Sequence, residues 1–213
     1  MAPSTEWGKF WAESLRHFVV RGEKEAGKNW GDEWGEPMSN FCRPVLEKWV
    51  LPFMQERGEK AVVVEIGPGG GRLTQFLANC KRLYLVEYNV EFFTQLRERF
   101  GDPDHFVYVH TKDGRSLPKI RKNSVDFAFS WGVFVHFEID HIADYLAALV
   151  TTLKKGAQAV IQFPDTSRPQ HQGAFGKVTK AQFVEAAEKA GFEVVAVDDF
   201  SLPNSSVALL VKS

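Results

Sequence analysis

The stretch that decides the fold reads Val62-Val63-Val64-Glu65-Ile66-Gly67-Pro68-Gly69-Gly70-Gly71-Arg72. An apolar run broken only by Glu65 is the pattern of a strand buried on both faces, and such strands belong to parallel sheets. The glycines that follow allow positive φ and let a ligand approach the backbone closely. A turn of this kind at the carboxyl end of a strand is where open α/β sheets bind their ligands. The spacing narrows the choice of ligand. A dinucleotide fingerprint runs G-x-G-x-x-G. Its third glycine would fall at position 72, which is Arg72, whereas the glycines here stand at 67, 69 and 71. A pyrophosphate site is disfavoured, and with no Gly-Lys-Ser/Thr after the loop a P-loop is excluded.

Downstream, four more short apolar runs follow at Leu83–Val86, Phe106–Val109, Val125–Phe129 and Ala157–Phe163. Helices fit between them at about 72–78, 90–100 and 140–154, with Asn89 placed to cap the second and Gly101 and Gly156 placed to end helices. The segment from Gly114 to Ser124 holds Pro118 and little apolar periodicity, so any helix there is reduced. A last helix, about 180–190, stops at Gly191 and leads to strands at about 192–197 and 206–211. Alternating strands and helices imply a parallel sheet covered on both faces. The final two strands, joined only by Asp198 to Ser205, are too close for a helical crossover and pair antiparallel.

Upstream, Trp7, Phe10, Trp11, Leu15, Phe18 and Val19 recur at helical spacing. Gly27 to Pro37 breaks the pattern, and a second stripe follows at Phe41, Val45, Trp49 and Phe53, with Pro44 blurring its start. The chain reads as one domain, a helical extension over 1–58 and an α/β core over 59–213.

Composition bounds the function. Of 213 residues, 44% are apolar and 25% charged, which suits a globular core rather than disorder. The net charge of -1, with no basic cluster, argues against a nucleic-acid partner. Cys42 and Cys80 form no CxxC pair and read as reduced thiols, and nothing calls for a metal. The N-terminus lacks a basic region followed by an apolar one, and no apolar stretch nears the ~20 residues that span a bilayer. A cytoplasmic location is expected.

Two further acids follow Glu65 in order. Glu87 ends the second strand, 22 residues on, where a carboxylate can accept both hydroxyls of a ribose. Asp113 follows the third strand, placed to accept a hydrogen bond from an adenine amino group. Any one of these acids could equally cap a turn. Three in order, on three adjacent strand ends beside a glycine loop, make a nucleoside site.

This arrangement resembles the class I (Rossmann-like) S-adenosylmethionine-dependent methyltransferases over about residues 60 to 213. Val62 to Gly71 is similar to the family's first motif, Leu85-Val86-Glu87-Tyr88 to the second, His110-Thr111-Lys112-Asp113-Gly114 to the third, and Val125 to Trp131 to the fourth. The resemblance implies a seven-stranded sheet in the order 3-2-1-4-5-7-6, S-adenosyl-L-methionine as cofactor and S-adenosyl-L-homocysteine as product. It places Glu65, Gly67, Pro68, Gly69 and Gly71 about the methionine moiety. Glu87, with Tyr88 after it, would hold the ribose, Asp113 and Gly114 the adenine, and Ser130 and Trp131 would line the sulfonium side.

The acceptor is approached by elimination. Amino methylation of bases typically uses an Asn/Asp-Pro-Pro-Tyr-like motif after the fourth strand, and that place reads Ser130-Trp131-Gly132-Val133. Pyrimidine C5 methylation needs a nucleophilic cysteine near the site, and radical chemistry a three-cysteine cluster. Small molecules, glycans and protein side chains remain. His136, just past the fourth strand, can face the acceptor as a general base or can pack beside the next helix. His141, in the first turn of that helix, reads as structural. Asp165 and His171 lie in the loop after the fifth strand, which either supplies the acceptor site or is an ordinary polar loop. Trp30 and Trp34 could roof the pocket. The expected activity is methyl transfer to a small molecule at oxygen, with His136 as base. The alternatives are N-methylation of an amine, methylation of a glycan or protein side chain, and a non-catalytic cofactor-binding interaction module.

Overall fold

The computed structural model describes residues 42–171 and 175–213. The aromatic stripe from Trp7 to Val19, Phe41, and the suggested roof at Trp30 and Trp34 lie outside the described residues.

Seven strands form one sheet: β1 (Val62–Ile66), β2 (Arg82–Glu87), β3 (Phe106–His110), β4 (Val125–Ser130), β5 (Leu153–Pro164), β6 (Phe192–Asp198) and β7 (Ser205–Lys212). Their order is β3-β2-β1-β4-β5-β7-β6, as the sequence led us to expect. The first five run parallel, and β7 lies antiparallel between β5 and β6. Because both faces are covered, alternate residues of each strand enter two separate cores. Val63, Leu83, Leu85, Phe127 and Val160 pack on one face; Val64, Tyr84, Val86, Ala128 and Ile161 pack on the other. On the first face Phe53 stacks on Phe127 with ring centres 4.5 Å apart, and on the second Phe163 stacks on Phe183 at 3.8 Å.

The second apolar stripe forms a continuous helical run of three parts: α1 (Arg43–Val45), a π-helical turn (Leu46–Val50) and α2 (Leu51–Arg57). Pro44 sits at the first turn of the run, where its missing N–H costs nothing. Pro52 lies further in, and the wider turn before it accommodates the hydrogen bond it cannot make. Helix α3 (Glu91–Phe100) carries Glu91 in its first turn and Arg97 and Arg99 in its last, matched to the helix dipole, and ends at Gly101. Helix α4 (Ile139–Thr152) and helix α5 (Lys180–Ala190) cover the opposite face. Helix α5 starts on a capping box in which Thr179 Oγ1 accepts from Gln182 N at 3.2 Å.

Two sequence expectations are corrected. The helix expected at 72–78 is only a 3-10 turn, Thr74–Phe76. The glycine turn uses up the start of the connection, and the chain is tied back at once by Lys81 N to Ala61 O at 3.0 Å, so no longer helix fits. Gly156 does not end a helix. It lies inside β5 at φ +74°, where the register with β4 shifts between Val125 and Phe127. The first turn of α3 closes on the Asn89 carbonyl, Phe92 N donating at 3.2 Å. The reduced crossover was read correctly, since residues 111–124 form turns and no helix.

Phe127 is fully buried between two strands and stacked on Phe53. Phe127→Ala is expected to lower the unfolding free energy by about 3–5 kcal/mol in urea titration with an unchanged slope.

Candidate functional site

The connections leave β1 toward β2 on one side and reach β4 on the other, which opens a crevice at the carboxyl ends of β1 and β4. A cavity of about 550 Å³ lies there, lined from β1 by Glu65, Ile66 and the glycine loop, from β2 by Glu87 and Tyr88, and from β4 by Trp131 to Val133.

The loop geometry explains its glycines. At Gly67 φ is +72°, and a Cβ there would lie 2.1 Å from Val133 Cγ2, so the loops after β1 and β4 can meet only through glycine. At Gly71 φ is +85°, and a Cβ would lie 2.6 Å from the Phe100 ring of α3. Gly71 thus shapes the loop from behind and is not on the cavity wall, whereas Gly67, Pro68, Gly69 and Gly70 are.

Two buried carboxylates face this cavity. Glu87 Oε1 accepts from the backbone N–H groups of Tyr88 at 2.8 Å and Asn89 at 3.0 Å, and Oε2 accepts a long 3.4 Å bond from Gly69 N. One oxygen is therefore saturated, and the other retains capacity for a ligand hydroxyl. Glu65 Oε2 accepts from Thr74 Oγ1 at 2.7 Å, the contact that fixes the 3-10 turn against β1. Burial pushes the Glu65 carboxyl up to about 8, against the Thr74 hydrogen bond and with a further push from Glu87. Burial likewise pushes Glu87 up to about 7, against its three backbone N–H donors. An acidic, desolvated cavity of this kind favours a ligand that brings positive charge and hydroxyl groups. With only a 3-10 turn after the glycines, the helix N-terminus that would cradle a pyrophosphate is not built.

The cavity also gathers Gly114, Trp131 and His136. His136 ends a 3-10 turn, Phe134–His136, and its ring meets Phe175 edge-on at 5.4 Å. Besides Gly71, two more expected site residues stand elsewhere. Ser130 is fully buried, and its Oγ donates to Ile66 O at 3.0 Å, pinning β4 to β1. Asp113 is turned onto its own loop. Its Oδ1 accepts from Thr111 Oγ1, Arg115 N, Ser116 N and Ser116 Oγ at 2.8 to 3.1 Å, which holds its carboxyl below the usual range against partial burial. It does not line the cavity. In the loop after β5, neither Asp165 nor His171 lines the cavity. Asp165 is buried and accepts from Ser167 and from Ser206 Oγ of β7 at 2.7 Å, and His171 Nε2 bonds Gly176 O at 3.0 Å.

Sequence reasoning missed Thr111, Tyr145, Gln162, Phe175 and Asn204 on the cavity wall. Gln162 was the most findable, as a polar residue inside the apolar run of β5. Its Oε1 accepts from Gly132 N at 2.7 Å and its Nε2 donates to Ser205 Oγ at 2.8 Å, which in turn donates to Asn204 Oδ1 at 3.1 Å. The chain ties the loop after β4 to the start of β7. Among the described residues, no cluster of three His, Cys, Asp or Glu side chains could hold a metal ion, and no helix is long and apolar enough to cross a membrane.

Residues 63–156 match the family model described as a methyltransferase domain. Over these residues the chain is similar to a methyltransferase domain, and its sheet has the order of the Rossmann-like methyltransferase fold. No curated protein matches it in sequence. Among solved structures, the chain is similar to an S-adenosylmethionine-dependent methyltransferase from Mesorhizobium loti, with 13% identity and a TM-score of 0.67 over 84% of this chain and 100% of that one. Magnesium protoporphyrin IX methyltransferase from Synechocystis, with bound SAH, aligns at 12% identity and a TM-score of 0.66 over 95% and 99% of the two chains. A Haloferax volcanii protein in complex with the Trm112 methyltransferase activator aligns at 16% and 0.61 over 86% and 98%. At these identities the likeness is one of fold.

The two buried carboxyls give a pH signature. The folded protein holds their protons up to about 7 and 8, whereas the unfolded chain releases them near 4.5, so their contribution to stability is complete below the latter and is lost as pH rises through the former. The thermal midpoint of the ligand-free protein should fall between about pH 4.5 and 8, and a Glu65→Gln/Glu87→Gln variant should show a flatter profile in parallel scans.

Proposed function

We propose that this methyltransferase moves a methyl group from S-adenosylmethionine to a small-molecule acceptor, with an acceptor oxygen as nucleophile. The observation that carries the reading is the cavity itself. Its volume of about 550 Å³ is that of a small-molecule site, and one wall holds the nucleoside-type carboxylate Glu87 while another holds His136.

The cofactor's contribution when bound is a methyl group already activated on a sulfonium. The residues present fit it. Glu87, braced by Tyr88 N and Asn89 N, accepts the ribose hydroxyls, and the turn at Gly67 to Gly70 borders the methionine part. Burial keeps Glu65 and Glu87 partly protonated in the free protein, and the sulfonium and ammonium would draw them toward the ionised forms that pair with positive charge. Trp131 and Val133, from the loop after β4, wall the space beside the glycine turn and exclude water from it. Catalysis then depends on alignment of the acceptor lone pair with the methyl group, which the rigid walls supply. His136, beside Phe175, takes the proton of the acceptor hydroxyl.

Methyl transfer from labelled S-adenosylmethionine to a panel of phenols, carboxylic acids and amines tests the reading directly, and turnover confined to amines would overturn the oxygen assignment. His136→Ala is expected to lower the transfer rate by about 10²–10⁴-fold with S-adenosylhomocysteine affinity unchanged. Loss of thermal stability with an unchanged rate would return His136 to a packing role. Glu87→Ala should weaken S-adenosylhomocysteine binding by about 1.5–3 kcal/mol in calorimetry, the scale of hydrogen bonds to a charged group.

A further inference from the structure

The connections after β4 and β5 build a part of the cavity wall that is chemically unlike the part around Glu65 and Glu87. Trp131, Val133, Val135, His136 and Phe175 line it. Among the described residues, these connections and the start of β7 put no Asp, Glu, Lys or Arg on the wall. Arg72, the only Lys or Arg among the described lining residues, follows the glycine turn and donates to Cys42 Sγ at 3.8 Å. Gln162 has its carbonyl taken by Gly132 N and its amide engaged with Ser205 Oγ.

Phe175 is put in place by the residue that follows it. Gly176 N donates to Val135 O at 2.9 Å, and His171 Nε2 bonds Gly176 O at 3.0 Å. A Cβ at Gly176 would collide with the Phe137 carbonyl, so the loop after β5 closes on the turn after β4 only through glycine. Lys177 N then donates to the Glu138 carboxylate at 3.2 Å. This clasp fixes Phe175 beside His136, with ring centres 5.4 Å apart and planes at 84°. His171 meets Phe175 at the same angle from 6.1 Å. Among the described residues no ring lies flat against Phe175, and the side chain is half-buried on the cavity wall. An aromatic face of this kind is a platform for another ring.

We propose that the acceptor is a neutral phenol, its ring stacked on Phe175 and its hydroxyl turned to His136, and that Phe175 sets this specificity. The proposal rests on the reading of the cavity as a site of methyl transfer to oxygen. A ring laid parallel to Phe175 stands nearly perpendicular to the imidazole, so a hydroxyl on its edge can meet the imidazole rim. An aliphatic alcohol would forgo the stacking, and a carboxylate or ammonium would be desolvated against a wall with no counter-charge. A phenol, with a pKa of ~10 like that of tyrosine, also gives up its proton to an imidazole far more readily than an aliphatic hydroxyl does. In the transfer the phenol oxygen bonds the methyl carbon as the carbon–sulfur bond breaks, its electron pair staying on sulfur. The phenolic proton passes to His136.

The test uses 2-naphthol, its saturated counterpart decahydro-2-naphthol and the anionic 6-hydroxy-2-naphthoate. Each is titrated by calorimetry into the full chain saturated with S-adenosylhomocysteine, and methyl transfer from labelled S-adenosylmethionine is followed in parallel. The native protein is expected to bind 2-naphthol about tenfold more tightly than the saturated alcohol, the upper range for one aromatic pair, and more tightly than the anion. In Phe175→Leu, which keeps an apolar side chain, the ratio of naphthol to saturated alcohol should fall to about two or less. KM for 2-naphthol should rise in that variant with kcat little changed, a split that a merely structural role would not give. A native ratio near one, tighter binding of 6-hydroxy-2-naphthoate, or no binding of 2-naphthol overturns the proposal, while transfer to another oxygen acceptor keeps the wider reading. A native ratio that persists in Phe175→Leu overturns the role of Phe175. Absence of S-adenosylhomocysteine binding and of transfer to any acceptor sinks the wider reading, and the proposal with it. Should Phe175→Leu fail to fold, the three ligands on the native protein decide the matter.

Discussion

The site depends on the direction in which the chain leaves β1. From β1 the crossovers run outward through β2 and β3 on one side, and β4 and β5 occupy the other. Parallel connections have one hand, so the loops after β1 and β4 diverge and cannot close over the strand ends. The crevice between them follows from topology, before any side chain is considered. Its width is then set by the approach of Gly67 to Val133, which no residue with a Cβ would permit.

Two carboxylates at the bottom of that crevice are held at a cost. Glu65 and Glu87 are largely removed from water, and the protein repays them only in part, with one hydroxyl donor and three backbone N–H groups. Stability alone would favour apolar residues at both positions. What they retain is an acidic pair that can answer a cation and an oxygen that accepts from a hydroxyl, and S-adenosylmethionine is a ligand that brings both. His141 Nδ1, on α4, is likewise buried without a hydrogen-bond partner.

The sheet was legible because its signals are local and redundant. Seven apolar runs of strand length, separated by connections either long enough or too short for a crossover, leave few topologies, and the antiparallel end followed from the short link between Asp198 and Ser205. Elements governed by distant contacts were misread. The residues after the glycine turn have helical composition, yet Thr74 is drawn onto Glu65 and Lys81 is tied to Ala61, so a single turn remains. Gly156 has the look of a helix terminator, and only the pairing of β5 with β4 reveals it as a bulge. Gln162 could have been found as a polar residue in a buried strand. Phe175 and Asn204 carried no such signal, because they reach the cavity from loops whose path no local rule dictates.

The sequence by itself determined the class of the fold, the antiparallel end of the sheet and the glycine turn with Glu65 and Glu87 at the ends of the first two strands. These are properties of periodicity and spacing, which a chain carries whatever its surroundings. Tertiary structure alone decided which polar groups face the cavity. A carboxylate at a strand end can turn to a ligand or to its own loop, and the difference is a side-chain rotation settled by the nearest donors. Asp113 has four donors in its own turn and faces them, whereas Glu87 keeps an oxygen toward the cavity, and His141 is brought to the cavity wall by the packing of α4 against the loop at Gly114.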